Sequence, residues 1–351
     1  MNNDNDTLNE IEYLRKIINE SKVPDDLRQR LLDRVKSLDR IIKYGGFSKE
    51  YETTYKYIYT CVSLPFSSYS EENTDFESVK SILSKNHYGM SEIKNKILDY
   101  IALLQIKKNR SLRATPSVIL LQGLPGIGKT SISKSIAESL SLKFIRIPMG
   151  GMANSLELIG RSKANSDAEP GKIVKSLIKS HSLNPVILLD EVDKTGNDLE
   201  SKSSVFSALI EILDPEQNYS FTDRFIDYPI DLSNIFFILT ANNIGGLPSA
   251  LVDRVDVIKL TGYSDEEKII ICKEYLLKKM IDYAGISEND FKIEDDVYPN
   301  IVSPLGYEAG IRDLEREFLG IGRKIDRKIL EGANLPIIIN NDNLKEFIDT
   351  V

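Results

Sequence analysis

A chain of 351 residues, 41% hydrophobic and 28% charged, has room for two or three modest domains, each with its own core. Its formal net charge of −8 speaks against general binding of duplex DNA or RNA, although it does not exclude a local basic face. Two cysteines (Cys61, Cys272) and two histidines (His87, His181) exclude a disulfide framework and a Cys/His zinc site; no apolar run nears the roughly 18–20 residues of a membrane span.

The polar, acidic start Met1-Asn2-Asn3-Asp4-Asn5-Asp6 is no signal peptide, so a reducing, cytoplasmic location is expected. Residues 8–43 read as two helices split at Val23-Pro24-Asp25-Asp26. The second carries Leu27, Leu31, Val35, Leu38 and Ile41 or Ile42 on one face, with Asp25 and Asp26 suited to its first turn and Gly45-Gly46 to its end. Such a stripe packs within its own chain or meets a partner helix. Tyr51–Leu64 reads as a third, aromatic-rich helix stopped by Pro65, and Ser67–Asp75 as a polar linker. From Phe76 onward helices alternate with short apolar runs at 117–122, 143–147, 185–190, 235–240 and 255–260, the pattern of a parallel sheet covered on both faces. After Thr261-Gly262-Tyr263 strands nearly vanish, leaving helices at 264–284 and 307–331 and one short strand at Pro336–Asn340. The expected division is therefore a helical segment at 1–68, a large α/β domain at 69–261 and a small helical domain at 262–351.

Between the first apolar run and the next helix lies Gly123-Leu124-Pro125-Gly126-Ile127-Gly128-Lys129-Thr130, which fits G-x-x-x-x-G-K-[ST]. In this strand–loop–helix setting, glycines turn backbone N–H groups toward phosphate oxygens and the helix N-terminus favours the anion. Gly123, Pro125, Gly126, Ile127, Gly128 and the following Ser131 would cradle a nucleotide. Lys129 would reach the β- and γ-phosphates, and the Thr130 hydroxyl would ligate Mg²⁺. The run Val186-Ile187-Leu188-Leu189 ends in Asp190-Glu191, at the strand end where α/β sheets place ligands. Asp190 would hold Mg²⁺ and Glu191 would polarise the attacking water. Asn242 follows another apolar run and either orients that water or is an ordinary turn residue. Arg254 and Arg312 are unremarkable on spacing alone.

Several strings together resemble the AAA+ module of the Lon family of ATP-dependent proteases. They are His87-Tyr88-Gly89-Met90, Asp190-Glu191-Val192-Asp193-Lys194, Leu213-Asp214-Pro215-Glu216-Gln217-Asn218, Leu260-Thr261-Gly262-Tyr263 and Glu308-Ala309-Gly310-Ile311-Arg312-Asp313. The resemblance extends to the N-terminal helices. It implies a P-loop NTPase fold with a five-stranded parallel sheet and a helical lid, working with ATP/ADP and Mg²⁺. It assigns Asn242 as the sensor-1 amide, Arg254 as an arginine finger acting in a neighbouring subunit, and Arg312 as the sensor-2 residue of the lid. His87, Tyr88 and Gly89 would lie near the adenine. An arginine acting in trans implies a homo-oligomer, a hexameric ring or helical assembly, and such arginines are worth roughly 10³–10⁵ in rate. The N-terminal helices could take a protein partner; a membrane or nucleic acid is not expected.

Two departures stand beside the resemblance. The chain ends at Val351, soon after Arg312, and holds no G-x-S-x-G, H-E-x-x-H or Cys–His pair, so no peptidase is expected. The family's aromatic–hydrophobic pair, which grips threaded polypeptide, would align with Asn165 and Ser166 in Arg161–Glu169, and no aromatic residue lies between Phe144 and Phe206. The expectation is an ATPase that drives a change of shape or assembly, with threading weakened, and a peptidase-free relative is favoured over a piece of a protease. The alternatives are the ATPase part of a Lon protease, which unfolds and degrades proteins, and a slow nucleotide-switched scaffold.

Overall fold

The apolar stripes of the first three helices meet one another. These helices are α1 (Asn2–Glu20), α2 (Asp25–Gly45) and α3 (Lys49–Ser63) in a computed structural model that describes residues 2–45, 49–109, 116–196, 198–303 and 308–348. Met1, Gly46, Tyr307 and Val351 lie outside the described residues. Leu27, Leu31, Val35 and Leu38 of α2 are fully buried against Leu14 and Ile18 of α1 and Ile58 and Cys61 of α3. That stripe is thus spent inside the chain, and a partner of these helices would have to read their outer faces. The helix α1 begins at Asn2, earlier than the expected start near residue 8.

The same apolar cluster continues into one face of the sheet. Tyr57 of α3 packs edge-on against Phe225 with ring centroids 6.0 Å apart, and the Tyr228 hydroxyl donates to Asp26 at 2.8 Å. After α4 (Phe76–Asn86) and α5 (Ser91–Asn109) come β1 (Ile119–Gln122), α6 (Lys129–Ser139), β2 (Phe144–Pro148), α7 (Leu156–Ile159), α8 (Lys172–Ser180), β3 (Val186–Asp190) and α9 (Leu199–Leu213). A small hairpin, β4 (Phe221–Thr222) and β5 (Pro229–Ile230), precedes β6 (Phe236–Ala241), α10 (Ser249–Val252) and β7 (Asp256–Lys259). The five expected apolar runs form one parallel sheet in the order β2-β3-β6-β1-β7. Strand residues alternate between its two faces, as period-2 geometry requires. Leu120, Ile187, Leu189, Phe237 and Leu239 join the cluster that holds α7, α8, α9 and the N-terminal helices, while Ile119, Leu121, Val186, Leu188 and Ile238 join α4, α5 and α6. Chain order reverses beside β1, and an open α/β sheet places its ligand at the strand ends of such a switch point.

The final part packs around α14 (Arg312–Leu330), whose Leu314, Phe318, Ile321 and Ile325 recur on one face and are buried. Ahead of it lie α11 (Asp265–Ile271), opened by a capping box between Ser264 and Glu267, a π-turn at Cys272–Leu276, α12 (Leu277–Ala284) and α13 (Tyr298–Val302); α15 (Leu344–Phe347) follows it. Sequence reading expected one strand here, and two are present among the described residues. The strand β8 (Phe291–Ile293) pairs in parallel with β9 (Ile337–Ile339). Three residues are too few to show an alternating pattern, so only the distant partner makes Phe291–Ile293 a strand.

The segment 161–169 leaves the sheet domain as a closed loop, with Arg161 and Glu169 exchanging backbone hydrogen bonds at 2.7 and 3.3 Å. Its base is held by Asp223, which is fully buried and accepts from the N–H groups of Gly171, Phe225 and Ile226 at 2.8, 2.8 and 3.1 Å. Burial pushes the Asp223 carboxyl up, against the pull of these three donors. Asp223→Ala leaves all three N–H groups buried without an acceptor and is expected to cost about 3 kcal/mol in urea unfolding. Asp223→Asn, which keeps an acceptor oxygen, should lose clearly less.

Candidate functional site

Where β1 ends, the chain turns through Gly123–Gly128 into α6. Gly126 and Gly128 have φ of 80° and 93°, a region closed to most side chains, and Gly128 caps α6 without any side-chain hydrogen bond. The first turn of α6 therefore presents its N–H groups and Thr130 to the adjoining cleft. The Lys129 ammonium donates to the carbonyls of Gly123 (2.5 Å) and Leu124 (3.0 Å) and to Asn242 Oδ1 (2.9 Å). Burial depresses its pKa, opposed by the nearby Asp193, Asp190 and Glu191.

Two adjacent strands carry the acids and their partners. Asp190 closes β3 and is only 4% exposed. Its Oδ1 accepts from the Thr240 hydroxyl at 2.5 Å, and its Oδ2 accepts Arg146 Nε and Nη2 at 2.7 and 2.6 Å. The Thr240 oxygen in turn accepts the backbone N–H of Glu191 at 2.8 Å. Glu191 lies in the left-handed region with φ of 60°, and its exposed Oε1 is paired with Lys194 at 2.6 Å. Two residues past Thr240 comes Asn242. Asp193 Oδ2 accepts the N–H groups of Asn242 and Asn243 at 2.9 and 3.1 Å, which aims the Asn242 amide at Lys129.

The small domain closes the other side. Ile311 N–H donates to Gly126 O at 3.0 Å, and a Cβ added at Gly310 would lie 2.5 Å from the Gly126 carbonyl carbon. Only glycine permits this backbone-on-backbone contact. Tyr263 N–H donates to Ala309 O at 3.1 Å, and the buried Lys268 donates to Glu308 O at 2.6 Å. Arg312, the first residue of α14, projects into the cleft between the two parts, which measures about 790 Å³.

His87, Tyr88, Pro125, Gly126, Gly128, Lys129, Thr130, Ser131, Asp190, Glu191, Asn242 and Arg312 line that cleft. Gly89, Gly123, Ile127 and Arg254 do not, although the carbonyl of Gly123 holds Lys129 and that of Ile127 lies 3.5 Å from the Tyr263 hydroxyl. Arg254 is held elsewhere, on Asp214 Oδ2 through Nε and Nη2 at 3.2 and 3.1 Å and on Ala250 O at 2.8 Å. Sequence reading missed Arg146, Thr240, Asp193, Lys194 and Tyr263. The one available signal for Arg146 was an arginine inside an otherwise apolar strand.

Comparison with known families agrees with the fold. The model of the ATPase family associated with various cellular activities (AAA) matches residues 119–263, and that of the Lon protease AAA+ ATPase lid domain matches residues 282–337. The chain is a Lon-family AAA+ ATPase module. It is 36% identical over 339 residues to Lon protease of Lawsonia intracellularis, covering 97% of this chain and 40% of that protein. Against Lon protease of Clostridioides difficile it is 37% identical over 344 residues, with 98% and 43% covered. Against Lon protease 1 of Bacillus subtilis it is 37% identical over 339 residues, with 97% and 43% covered. This Lon-type module thus spans about two fifths of the length of these relatives. Among the described residues, no helix is long and apolar enough to cross a membrane.

His87 ties the module's stability to pH. Its Nε2 lies 2.9 Å from Ser135 Oγ, and burial, followed by the nearby Lys94 charge, pushes its pKa down to about 4 from an ordinary 6.5. The unfolded chain then takes up a proton as pH falls through 6.5, while the folded module does so only near 4. Stability is therefore fully present above about 6.5 and lost as pH falls toward 4, by up to roughly 3 kcal/mol. Melting temperatures from pH 7.5 to 4.5 should fall less steeply for His87→Gln than for the wild type.

Proposed function

We propose that this module binds ATP with Mg²⁺ in the cleft and hydrolyses it, and that opening and closing of the small domain is the output. The observation that carries this reading is convergence. Lys129, Asp190, Glu191, Asn242 and Arg312 reach one cleft at the strand ends, and the small domain is hydrogen-bonded to the glycine loop through Ile311 and Gly126. The three parts 1–68, 69–261 and 262–351 would then act as helical base, catalytic domain and lid.

Each residue has a role set by its chemistry. The glycine-loop N–H groups and Lys129 hold the phosphates, and His87 and Tyr88 line the end of the cleft assigned to the base. Thr130 and Asp190 offer a hydroxyl and a carboxylate, donors that suit Mg²⁺ beside phosphate oxygens and water, and they would hold it. Bound there, Mg²⁺ would neutralise charge on the phosphate chain. Glu191, once off Lys194, takes the proton of the attacking water, and Asn242 orients that water. Arg312 senses the phosphates from the lid. Arg254 sits on Asp214, away from its own cleft, and we assign it to a neighbouring subunit's site in a homo-oligomeric ring. Proteolysis is the activity named for the relatives; for this chain it would rest on a peptidase domain outside these residues.

Phosphate release by the purified chain tests the reading. Lys129→Ala should lose nucleotide binding, whereas Glu191→Gln should bind ATP normally and turn over about 10²–10⁴ times more slowly. Arg254→Ala in the assembled oligomer should lose roughly 10³ in rate while each chain still binds ATP. Full turnover by the Glu191→Gln protein would sink the assignment.

The polar segment 161–169 carries the part of the proposal that concerns threading. Asn165 and Ser166 face a hollow of about 380 Å³ shared with Tyr57, and the segment is tied to α3 through Lys163 over the Tyr57 ring (4.0 Å) and Lys56 on Ala168 O (3.2 Å). Such a segment has little apolar surface with which to grip a stripped polypeptide. Unfolded casein should leave the wild-type ATPase rate unchanged, and Asn165→Tyr should confer stimulation.

A further inference from the structure

We infer that Arg146 is a positioning residue of the nucleotide site, competing with divalent metal for the Asp190 carboxylate and so setting how much metal the site requires. This rests on the proposed ATP site.

The argument is one of lone pairs. Asp190 Oδ1 faces the interior and is taken by the Thr240 hydroxyl at 2.5 Å, itself fixed by the Glu191 N–H. Oδ2 is the oxygen left for the cleft. Both Arg146 contacts fall on it, Nε at 2.7 Å and Nη2 at 2.6 Å, so one guanidinium occupies the two lone pairs of that oxygen. A side-by-side fork across both carboxylate oxygens would have been the stronger arrangement. Thr240 prevents it. Arg146 therefore sits where a metal ion, or its bound water, has to come.

The two partners differ in burial in the way such an exchange needs. The Asp190 side chain is 6% exposed and that of Arg146 is 53% exposed, lining the cleft. The acid is enclosed at the end of β3, while its cation reaches it from β2 on a half-exposed side chain. When metal takes Oδ2, Asp190 exchanges one positive partner for another and is at no point left as a bare buried anion. The displaced guanidinium remains in the cleft as one more cation for phosphate oxygens.

The test uses Mg²⁺ alone and then a fluorescent ATP analogue. In a titration of the nucleotide-free chain followed by melting temperature, Arg146→Gln should respond to Mg²⁺ at a concentration about tenfold lower than the wild type, since its acid lacks a competing cation. Arg146→Lys keeps the charge but cannot place two N–H groups on one oxygen, and should fall between them. In EDTA, the analogue should bind Arg146→Gln about fivefold more weakly than wild type, because a cation has left the cleft. A structural defect would weaken both responses together, so opposite signs for metal and metal-free nucleotide are the signature. Equal Mg²⁺ midpoints in all three proteins, or a higher one in Arg146→Gln, would overturn the inference. Failure of the wild type to bind the analogue would instead count against the ATP site, and the Mg²⁺ melt would still decide the role of Arg146.

Discussion

One buried carboxylate organises the edge of the sheet that lines the cleft. Asp190 ends a strand whose residues are all buried, and moving a carboxylate of this kind out of water costs several kcal/mol unless it is compensated. Compensation comes from both neighbouring strands, through Arg146 of β2 and Thr240 of β6. That requirement pins three strand ends to one another. It also sets the course of the chain beyond two of them. The Thr240 oxygen holds the Glu191 N–H as the chain turns into its left-handed conformation, and Asn242, two residues on, is delivered to Lys129. The Lys129–Asn242 contact then ties the glycine loop to the same cluster. A chain of hydrogen bonds, several of them charge-assisted, thus links the loop, the acids and the amide into one unit.

Around that unit the rest of the molecule has separable tasks. The N-terminal helices share a core with the sheet face opposite α4–α6, and they brace the segment 161–169 through Lys56, Tyr57 and Lys163. The small domain has its own core and reaches the same edge over a narrow front. Its closest approach is backbone on backbone, at Gly310–Ile311 against Gly126. Such a contact has no side chain to flex, and under the proposed function it is the route by which a shift of the glycine loop would reach α14 and Arg312.

Much of this was legible in the residues. Five apolar runs of four to six residues, punctuated by glycine and polar turns, gave a parallel sheet because its central strands are buried on both faces and can be almost continuously apolar. The glycine loop and the Asp190-Glu191 pair were readable because their chemistry is local: strand, loop and helix are consecutive. What escaped was non-local. Thr240 looks like the tail of an apolar run until β6 is placed beside β3. Arg146 looks like an ordinary edge-strand arginine until the register brings Pro148 opposite Asp190 and its side chain within reach. The strand β8 exists only through β9, and nothing in the sequence could show that Arg254 rests on Asp214, forty positions away. In each case the missing information was a pairing between distant segments rather than a propensity.

The most direct measurement is an experimental structure of this chain with Mg²⁺ and a non-hydrolysable ATP analogue. The account predicts phosphates along the Gly123–Thr130 loop, metal beside Thr130 and Asp190, the Arg146 guanidinium displaced from Asp190 Oδ2, and Lys129 turned from its loop carbonyls to the phosphates. A nucleotide bound elsewhere, or one bound here with the Arg146–Asp190 and Lys129–Asn242 contacts both unchanged, would contradict it.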